Sequence, residues 1–398
     1  MTTFRSRQLR ALRIAVASGV AAALLLPLGV VLAWNQLLDS GSATTLAADT
    51  ITIPDTPTAL VAVPGSGGQL SHLFVAVLDA SGVGGTVVLL PIGAATETIV
   101  DADTNMEPQL PRRLADVYVT DGMAGLSDEV QGLLDVSFTT TGELGRAQLI
   151  DVLAPLGGVG VLLDRDVVTV AADGTATTLA SAGESSYAVD RIVDILLARR
   201  SNEKESDRFA RHREVWNGIV DRVGPGLDVP PGLDMSADGL TDVATFMQRL
   251  FAGSLQVWQL AAAPIIDTTV NPDGADLYSI DRAEVTMVFA SVAPSAMSGA
   301  NLPISVMVDS PFNDPLVSRA AVAALLDAGV GVSVMREISA EESSATIVQS
   351  DAELAGVLGD LLAGSFGTLE TRSRPVRIVG VDATIILGAE FVASVRAG

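Results

Sequence analysis

The hydrophobic pattern of this chain begins with a long apolar segment, residues 14–34, which contains no charged side chain. About 20 apolar residues at helical rise match the hydrocarbon thickness of a bilayer. Pro27 inside the segment is compatible with a membrane helix, since local adjustments satisfy the carbonyl group that it frees. Trp34 ends the segment, where an interfacial aromatic ring is typical. The pattern therefore predicts a transmembrane helix over residues 14–34.

Cationic residues precede this apolar segment. Residues 1–13 contain four arginines and no acidic residue, so they are predicted to remain as a short cytoplasmic tail. The rest of the chain is then extracytoplasmic, which describes a signal-anchored, single-pass protein of the cell membrane. A cleaved signal peptide is the alternative, with residues 43–48 as its cleavage region. The apolar part of a signal peptide is usually only about 7–15 residues long, so the length favours the anchor.

A polar segment with Gly and Pro, residues 35–57, follows and is predicted to be a linker. Short β-branched runs separated by Gly and Ser then predict buried strands, while helical spacing appears further on. The predicted strands are LVAV, LFVAVLD and GGTVVLLPI, with a strand or hairpin at 159–172; the predicted helices are 126–134, 143–153 and 187–200, the last continuing to Val223. Strands and helices mixed in this way predict an α/β (α+β) sandwich with a mixed central sheet over residues 58–290.

A second break, rich in Ala, Ser, Pro and Gly, lies at residues 290–301. After it the pattern predicts a small β-α-β-α-β domain over residues 302–398. Its predicted strands are ISVMVD, VGVSVMRE and ATIILGAEFV, and its predicted helices are 315–327 and 352–362.

Composition and charge exclude several functions. The 398 residues include no cysteine, so the chain has no disulfide, no thiolate nucleophile and no cysteine-based metal site. The formal net charge is -23, and a field of that sign repels phosphate backbones. We therefore expect no nucleic-acid partner.

The C-terminal residues resemble the C-terminal domain of LytR-type proteins over about residues 302–393. The closing motif of that domain, D-x-T-x-x-L-G, is matched by Asp382, Thr384, Leu387 and Gly388, with Glu390 in the acidic place that follows.

Residues 58–290 resemble the LytR-CpsA-Psr domain in a degenerate form. The residues that carry the resemblance are the turn at 156–159, the pair Arg199 and Arg200, and the run that contains Arg208, Arg211, Val215 and Trp216. Members of this family transfer wall polymers from a polyprenyl-pyrophosphate carrier to the cell wall, with a divalent cation and a set of arginines. The resemblance thus implies cell-envelope assembly and a polyprenyl-phosphate lipid or wall polymer as ligand.

The chain departs from the family pattern where that pattern has its acidic residues. Where the family has its first acidic residue, this chain has the segment 64–66 (Pro-Gly-Ser). Where the family has its next acidic residue, this chain has Ser71, and the family's Pro-Arg-Asp motif is replaced by a segment that ends in Gly93. Both metal-binding carboxylates and two arginines of the family are therefore missing. We accordingly predict no catalytic residue, no metal site and no cofactor, as in a pseudoenzyme.

The arginines near the middle of the chain are the candidate site. Arg199, Arg200, Arg208 and Arg211 are the predicted phosphate- or lipid-binding residues. The alternative is a solvated helix whose arginines, including Arg213, pair with the nearby residues Glu203, Glu205 and Glu214 at helical spacing. His72 is expected to be structural or exposed. Asp164 and Asp166 could form a paired-carboxylate site, but a turn beside a strand explains them as well.

Three functions remain open from the sequence. The first is a non-catalytic envelope protein that binds a polyprenyl-linked lipid, a wall polymer or a partner ligase. The second is an active phosphotransferase of the LytR-CpsA-Psr type, and the third is an interaction protein with no lipid site. A carboxylate pair facing the arginine groove would favour the enzyme, and an apolar groove beside Arg208 and Arg211 would favour lipid binding.

Overall fold

The structure is a computed structural model. It describes residues 50–96, 110–170, 174–200, 203–229, 232–236, 239–298, 302–340, 342–374 and 377–397. The predicted transmembrane helix at 14–34 and most of the predicted linker lie outside these residues. Within the described part of the chain, no helix is long and apolar enough to cross a membrane.

The first sheet has five strands in the order β10-β4-β3-β2-β5. These strands are β2 (Thr58–Pro64), β3 (Leu70–Leu78), β4 (Gly85–Leu90), β5 (Thr140–Glu143) and β10 (Leu255–Gln259). The pairs β2–β3 and β3–β4 are antiparallel, whereas β5 is parallel to β2 and β10 is parallel to β4. The predicted mixed central sheet and mixed α/β fold are thereby confirmed.

Helices cover both faces of this sheet, which explains why β3 and β4 are buried along their whole length. Successive strand residues point to opposite faces. Leu60 and Val75 accordingly belong to one core, while Val61 and Phe74 belong to the other. The first core contains α1 (Leu114–Leu134) and α6 (Arg282–Val292). The second contains α2 (Arg146–Leu153), α3 (Val189–Leu197), α4 (Glu205–Val223) and α5 (Val243–Phe251).

Several predicted boundaries in this region were wrong. The segment 159–172 is not one hairpin: its two strands, β6 (Gly158–Leu163) and β7 (Val167–Val170), pair with β9 (Gly183–Ala188) and β8 (Ala176–Ala180). The helix predicted at 126–134 begins at Leu114, and the one predicted at 143–153 begins at Arg146, since Glu143 still pairs with Ala62 of β2.

The long helix predicted from 187 to 223 is divided in two. Tyr187 is in β9, α3 ends at Leu197, and α4 begins at Glu205. Ala198 has an extended backbone (φ -58°, ψ 131°), so the chain turns away from the helix axis there. We call residues 198–204 the elbow; it is described at 198–200 and 203–204.

A short ribbon that the sequence pattern did not predict follows β10. It consists of β11 (Ala262–Pro264) and β12 (Tyr278–Ile280), which pair in antiparallel fashion. Ala95 N donates to Tyr278 O at 2.8 Å, and Tyr278 N donates to Gly93 O at 2.9 Å, which places the ribbon beside the segment that follows β4.

The second sheet has the order β14-β13-β18-β15-β16. Its elements are β13 (Ser305–Ser310), α7 (Pro315–Asp327), β14 (Gly331–Glu337), β15 (Thr346–Ser350), α8 (Ala352–Leu362), β16 (Leu369–Ser373), β18 (Ala383–Ile386) and α9 (Ala389–Ala397). The two predicted helices are confirmed. The predicted strand ATIILGAEFV is wrong in its second half, because β18 ends at Ile386 and a helix begins at Ala389. Gly388 lies between them, where a Cβ atom would be 2.4 Å from the carbonyl carbon of Ala345.

The segment before the second sheet is bonded to the first. Ser137 N donates to Ala296 O and Ser298 N donates to Asp135 O, both at 2.8 Å. At the start of the described chain, β1 (Thr50–Ile51) lies beside β17 (Arg377–Ile378), and Val379 N donates to Ile51 O at 3.1 Å. The domain limits 58–290 and 302–398 stay a prediction.

Candidate phosphate-binding site

The start of α4 is held by the β11–β12 ribbon. Glu205 N donates to Asp276 Oδ2 at 2.7 Å, and Tyr278 Oη donates to the other oxygen of the same carboxylate at 2.8 Å. Ser206 N in turn donates to Tyr278 Oη at 3.3 Å. The N-cap residue of α4, Lys204, has no acceptor in its side chain, so a residue distant in sequence binds the free amide groups of the first turn.

Arg208 lies on the buried face of α4 with none of its side chain exposed. Its Nη1 donates to Glu205 Oε2 at 2.9 Å, and its Nη2 donates to the carbonyl oxygen of Ser71 in β3. Glu205 Oε1 accepts from Ile92 N at 3.2 Å. Burial raises the pKa of Glu205, although the positive charge of Arg208 opposes the shift. The pair therefore joins α4 to the central sheet inside the protein.

Arg211 is also largely buried, with 10% of its side chain exposed. Its Nη1 donates to Glu203 Oε1 and its Nη2 donates to Ala198 O, both at 2.6 Å. These bonds connect α4 to both described ends of the elbow. The ion pairs expected by the alternative interpretation are thus present, but for Arg208 and Arg211 they are internal and not solvated.

Arg199 and Arg200 of the elbow are exposed, and they line a cavity of about 590 Å³. We call it the arginine cavity; its other lining residues are Ser66, Gln69, Leu70, Ser71, Arg113, Ala115, Asp116, Val119, Thr120, Thr169, Val170, Leu197 and Ala198. Arg200 Nη2 donates to Asp166 O at 3.2 Å. Within the described residues Arg199 forms no ion pair. The turn that contains Asp166 therefore supports one of the candidate arginines.

Arg113 is the cavity residue that the sequence interpretation missed. It stands at the N-terminus of α1, and its Nε and Nη2 donate to the two carboxylate oxygens of Asp116 at 2.8 and 2.7 Å. This hydrogen bond raises the pKa of Arg113. Arg113 and Asp116 are three positions apart, a spacing that indicates an ion pair at the start of a helix. The sequence gave no indication that this pair lines the same cavity as Arg199.

A second cavity of about 590 Å³ adjoins the first, because Arg113 and Arg199 line both. Its wall is formed by the ribbon and its loop, from Pro264 to Tyr278, together with Glu203 and Lys204 of the elbow. The two cations that line both cavities, the half-buried Arg113 and the exposed Arg199, come from elements far apart in sequence.

The residues at the family's carboxylate positions do not fit a divalent cation. A Cβ atom at Gly93 would be 2.8 Å from Asp276 O and 3.0 Å from the ring of Tyr278, so an acidic side chain has no room there. Asp116 is the single carboxylate among the residues that line the arginine cavity. Among the described residues, no group of three or more His, Asp or Glu could hold a metal ion.

The two histidines are internal and structural. Trp216 Nε1 donates to His72 Nε2 at 2.8 Å, and the ring of His212 packs edge-on against His72 with centroids 4.4 Å apart. His212 Nε2 lies 3.0 Å from Leu196 O and donates to it. Burial, aided by the charge of Arg208, lowers the pKa of His72 to about 3. Both rings are therefore neutral at physiological pH.

No family model and no curated protein matches this sequence. Among solved structures, the chain is similar to TagV of Bacillus subtilis (13% identity, TM-score 0.42, 58% of this chain and 94% of that one) and to TagT of B. subtilis (14% identity, TM-score 0.39, 59% and 88%). It is also similar to the LytR-CPS2A-psr family protein YwtF (TagT) with bound octaprenyl pyrophosphate lipid (16% identity, TM-score 0.38, 61% and 92%). These solved structures represent the family that the sequence motifs resemble. The similarity covers 58–61% of this chain.

Proposed function

We propose that this protein acts in the assembly of cell-wall polymers by binding a phosphate-bearing polyprenyl lipid, or a wall polymer linked to one, without turning it over. One observation carries the proposal: Arg113, Arg199 and Arg200 line one cavity that contains a single carboxylate, in a chain of net charge -23. Guanidinium groups bind phosphate oxygens through paired hydrogen bonds. A local excess of cations on an acidic protein is the pattern expected of an anion site.

The buried and exposed arginines have different roles in this proposal. Arg199 and Arg200, with Arg113, contact the phosphate directly. Arg211 holds the elbow in place through its ion pair with Glu203 and its hydrogen bond to Ala198 O. The pair of Arg208 with Glu205 joins the start of α4 to the central sheet.

The location in the cell is part of the same proposal. The apolar residues 14–34 anchor the chain in the cell membrane, the four arginines before them keep the N-terminus in the cytoplasm, and the body is extracytoplasmic. A polyprenyl lipid is a component of that membrane, and partner envelope proteins are found on that side.

Binding without turnover follows from the composition of the site. The charge on a pyrophosphate leaving group is usually neutralised by a metal ion as well as by arginines. Each loss of about 1.36 kcal/mol of transition-state stabilisation slows the reaction tenfold. Asp116, already engaged with Arg113, leaves no carboxylate set to hold that cation. We expect no magnesium-dependent cleavage of octaprenyl pyrophosphate by the full chain, as measured by phosphate release. Magnesium-stimulated turnover that disappears in Asp116→Asn would instead support the active transferase.

Octaprenyl pyrophosphate binding in detergent tests the site itself. Each charge-assisted hydrogen bond is worth about 1.5–3 kcal/mol, so Arg199→Ala and Arg200→Ala should each weaken binding roughly ten- to a hundredfold. Arg191→Ala is the matched control, because Arg191 is an exposed arginine of α3 that does not line the arginine cavity. Equal affinities in all four proteins would favour the interaction protein with no lipid site.

A further inference from the structure

The arginine cavity is too small to hold a whole polyprenyl lipid. Its volume is about 590 Å³. A methylene group takes up about as much space as a water molecule in the liquid, about 30 Å³, so the roughly 40 carbon atoms of an octaprenyl chain fill on the order of 1,000 Å³. The phosphate groups need part of the same cavity. A prenyl phosphate bound there must therefore have most of its chain elsewhere.

The space between the central sheet and α4 is filled directly behind the cavity. Ser71 lines the cavity, and its carbonyl oxygen accepts from Nη2 of the fully buried Arg208. Beside them Trp216 Nε1 donates to His72 Nε2, and the Trp216 ring packs edge-on against Phe74 with centroids 5.0 Å apart. A prenyl chain that entered here would separate Arg208 from Ser71 O and leave a buried charge without one of its partners, which is unfavourable.

The opposite face of the sheet is closed as well. Leu70 lines the cavity and belongs to the first core, together with Leu73 of the same strand and Leu114 of α1. None of these three leucines is exposed to solvent. Protein cores are close-packed and have no space for a chain between such residues. Among the described residues, the arginine cavity thus ends at packed side chains on both faces of β3.

The second cavity suits an apolar chain poorly. It is lined by Glu203, Lys204 and Asp276 as well as by the two arginines that it shares with the first cavity. Covering ionised side chains with hydrocarbon costs free energy, because the chain displaces water and forms no hydrogen bond. A prenyl chain is therefore more stable in the surrounding lipid than in this cavity.

Two exposed apolar side chains mark the open side of the arginine cavity. Val119 of α1 is 62% exposed and Val170 of β7 is 50% exposed, and both line the cavity with Arg199 and Arg200. Exposed valines beside guanidinium groups match the junction of a prenyl phosphate, where a charged group meets the first isoprene units. The cavity therefore fits this end of the ligand.

We propose, on the basis of the function proposed above, that the protein binds the phosphate end of a prenyl phosphate and leaves most of the chain outside. Arg199 and Arg200 contact the phosphate, while Val119 and Val170 contact the first isoprene units. The rest of the chain stays in the membrane. The ligand class is then prenyl phosphates of any chain length, because the far end of the chain makes no contact by which its length could be recognised.

Photoreactive ligands test where the chain lies. Octaprenyl pyrophosphate with a diazirine on its first or on its last isoprene unit is bound to the full chain in detergent and irradiated, and labelled peptides are identified by mass spectrometry. We expect the first-unit probe to label peptides that contain Val119 or Val170, and excess unlabelled ligand to prevent this labelling. The last-unit probe should react with detergent instead of protein.

Two outcomes would contradict this placement, and they differ in meaning. Labelling of the central sheet, α4 or the β11–β12 ribbon by the last-unit probe, prevented by unlabelled ligand, would show that the chain enters the protein; the proposed function would stand. If unlabelled ligand affected the labelling by neither probe, the lipid would not bind at all, and the proposed function would fall as well.

The valines allow a second, independent test. Val119→Ser and Val170→Ser should each weaken binding of geranyl pyrophosphate about three- to tenfold, because apolar contact area is lost, and should weaken octaprenyl pyrophosphate by the same factor. Binding of inorganic pyrophosphate should not change. Leu162→Ser is the matched control, since Leu162 is 57% exposed in β6 and does not line the cavity. An equal loss for inorganic pyrophosphate, or no loss beyond that of the control, would remove the valines as the chain contact.

Discussion

At the scale of single residues, the chemistry of this protein depends on which ionisable groups are inside. The sequence suggested that His72 was structural or exposed; it is buried, and the sequence could not show that its Nε2 accepts from Trp216, 144 positions away. That bond places the proton of the neutral ring on Nδ1, which is buried without a partner among the described residues. A second proton would have to displace the indole N–H.

The pH dependence of stability should follow from this burial. The pKa of His72 is lowered from 6.5 to about 3, and that of His212 is also lowered. Below pH 6.5 the histidines of the unfolded chain take up protons, whereas the native rings stay neutral. The contribution of the two buried rings to the free energy of unfolding is therefore complete above that pH. It is lost as pH falls, by up to about 1.36 kcal/mol per pH unit for each ring. His72→Gln, whose amide oxygen can accept from Trp216, should flatten the urea-unfolding stability between pH 6.5 and 5. An unchanged slope would show that burial of His72 does not contribute to the pH dependence.

The pair Arg208 and Glu205 gives a second prediction at this scale. Removing one member of a buried ion pair leaves an uncompensated charge and costs about 3–5 kcal/mol. Arg208→Met should therefore lower the free energy of unfolding by that amount, and the double variant with Glu205→Gln should recover part of it. If Arg208→Met and the double variant were equally stable, the charge of Glu205 would not be buried. Loss of ligand binding in an Arg208 variant would therefore be explained first by the lower stability of the fold and not by a lost contact with phosphate.

At the scale of elements, the elbow shows what periodicity cannot predict. The sequence from 187 to 200 has helical spacing and a polar segment without Pro continues it to 223, so a single helix was the natural prediction. Tertiary contacts override it: Arg211 donates to Ala198 O, where a longer α3 would place an intrahelical bond, and the ribbon holds the start of α4. This break is what exposes Arg199 and Arg200. The candidate arginines were therefore identifiable by type, but their division into exposed and internal pairs was not.

The cap on α4 can be tested. Asp276→Ala removes the acceptor for Glu205 N and Tyr278 Oη, and losing a cap of this kind costs about 0.5–2 kcal/mol. Thermal unfolding should show the loss, while Asp273→Ala, an exposed acid of the same loop, should not. If both variants unfold at the wild-type temperature, the ribbon does not hold the helix.

The second sheet shows the same limit. Its helices α7 and α8 were predicted at their observed bounds, and an aspartate, Asp314 or Asp351, precedes each of them in the structure. The strand ATIILGAEFV was extended too far because it is apolar almost throughout, and the close approach of Gly388 to Ala345 is visible only in three dimensions.

At the scale of the whole molecule, the connector between the two sheets is bonded and not free. Ser295 Oγ accepts from Thr56 N at 2.8 Å and contacts Thr56 Oγ1 at 2.8 Å, in addition to the backbone bonds of Ala296 and Ser298. The composition of residues 293–301 predicted a protease-sensitive linker. The described part, up to 298, is instead tied to segments far away in sequence.

Limited proteolysis distinguishes the two expectations. Subtilisin should leave the peptide bonds between residues 294 and 298 intact under native conditions, because cleavage requires the hydrogen bonds of this segment to open locally. Ser295→Ala, which removes the bonds to Thr56, should make this segment cleave faster than in the wild type. Early cleavage there in the unaltered protein would support an exposed linker at residues 293–301.

The crowding at Gly93 has an evolutionary consequence. A single codon change to an acidic residue would drive the new side chain into Asp276 and Tyr278, the same two residues that hold the start of α4. The intermediate sequence would lose stability before it gained a cation ligand. A cation ligand at position 93 would therefore need the ribbon to be rebuilt first.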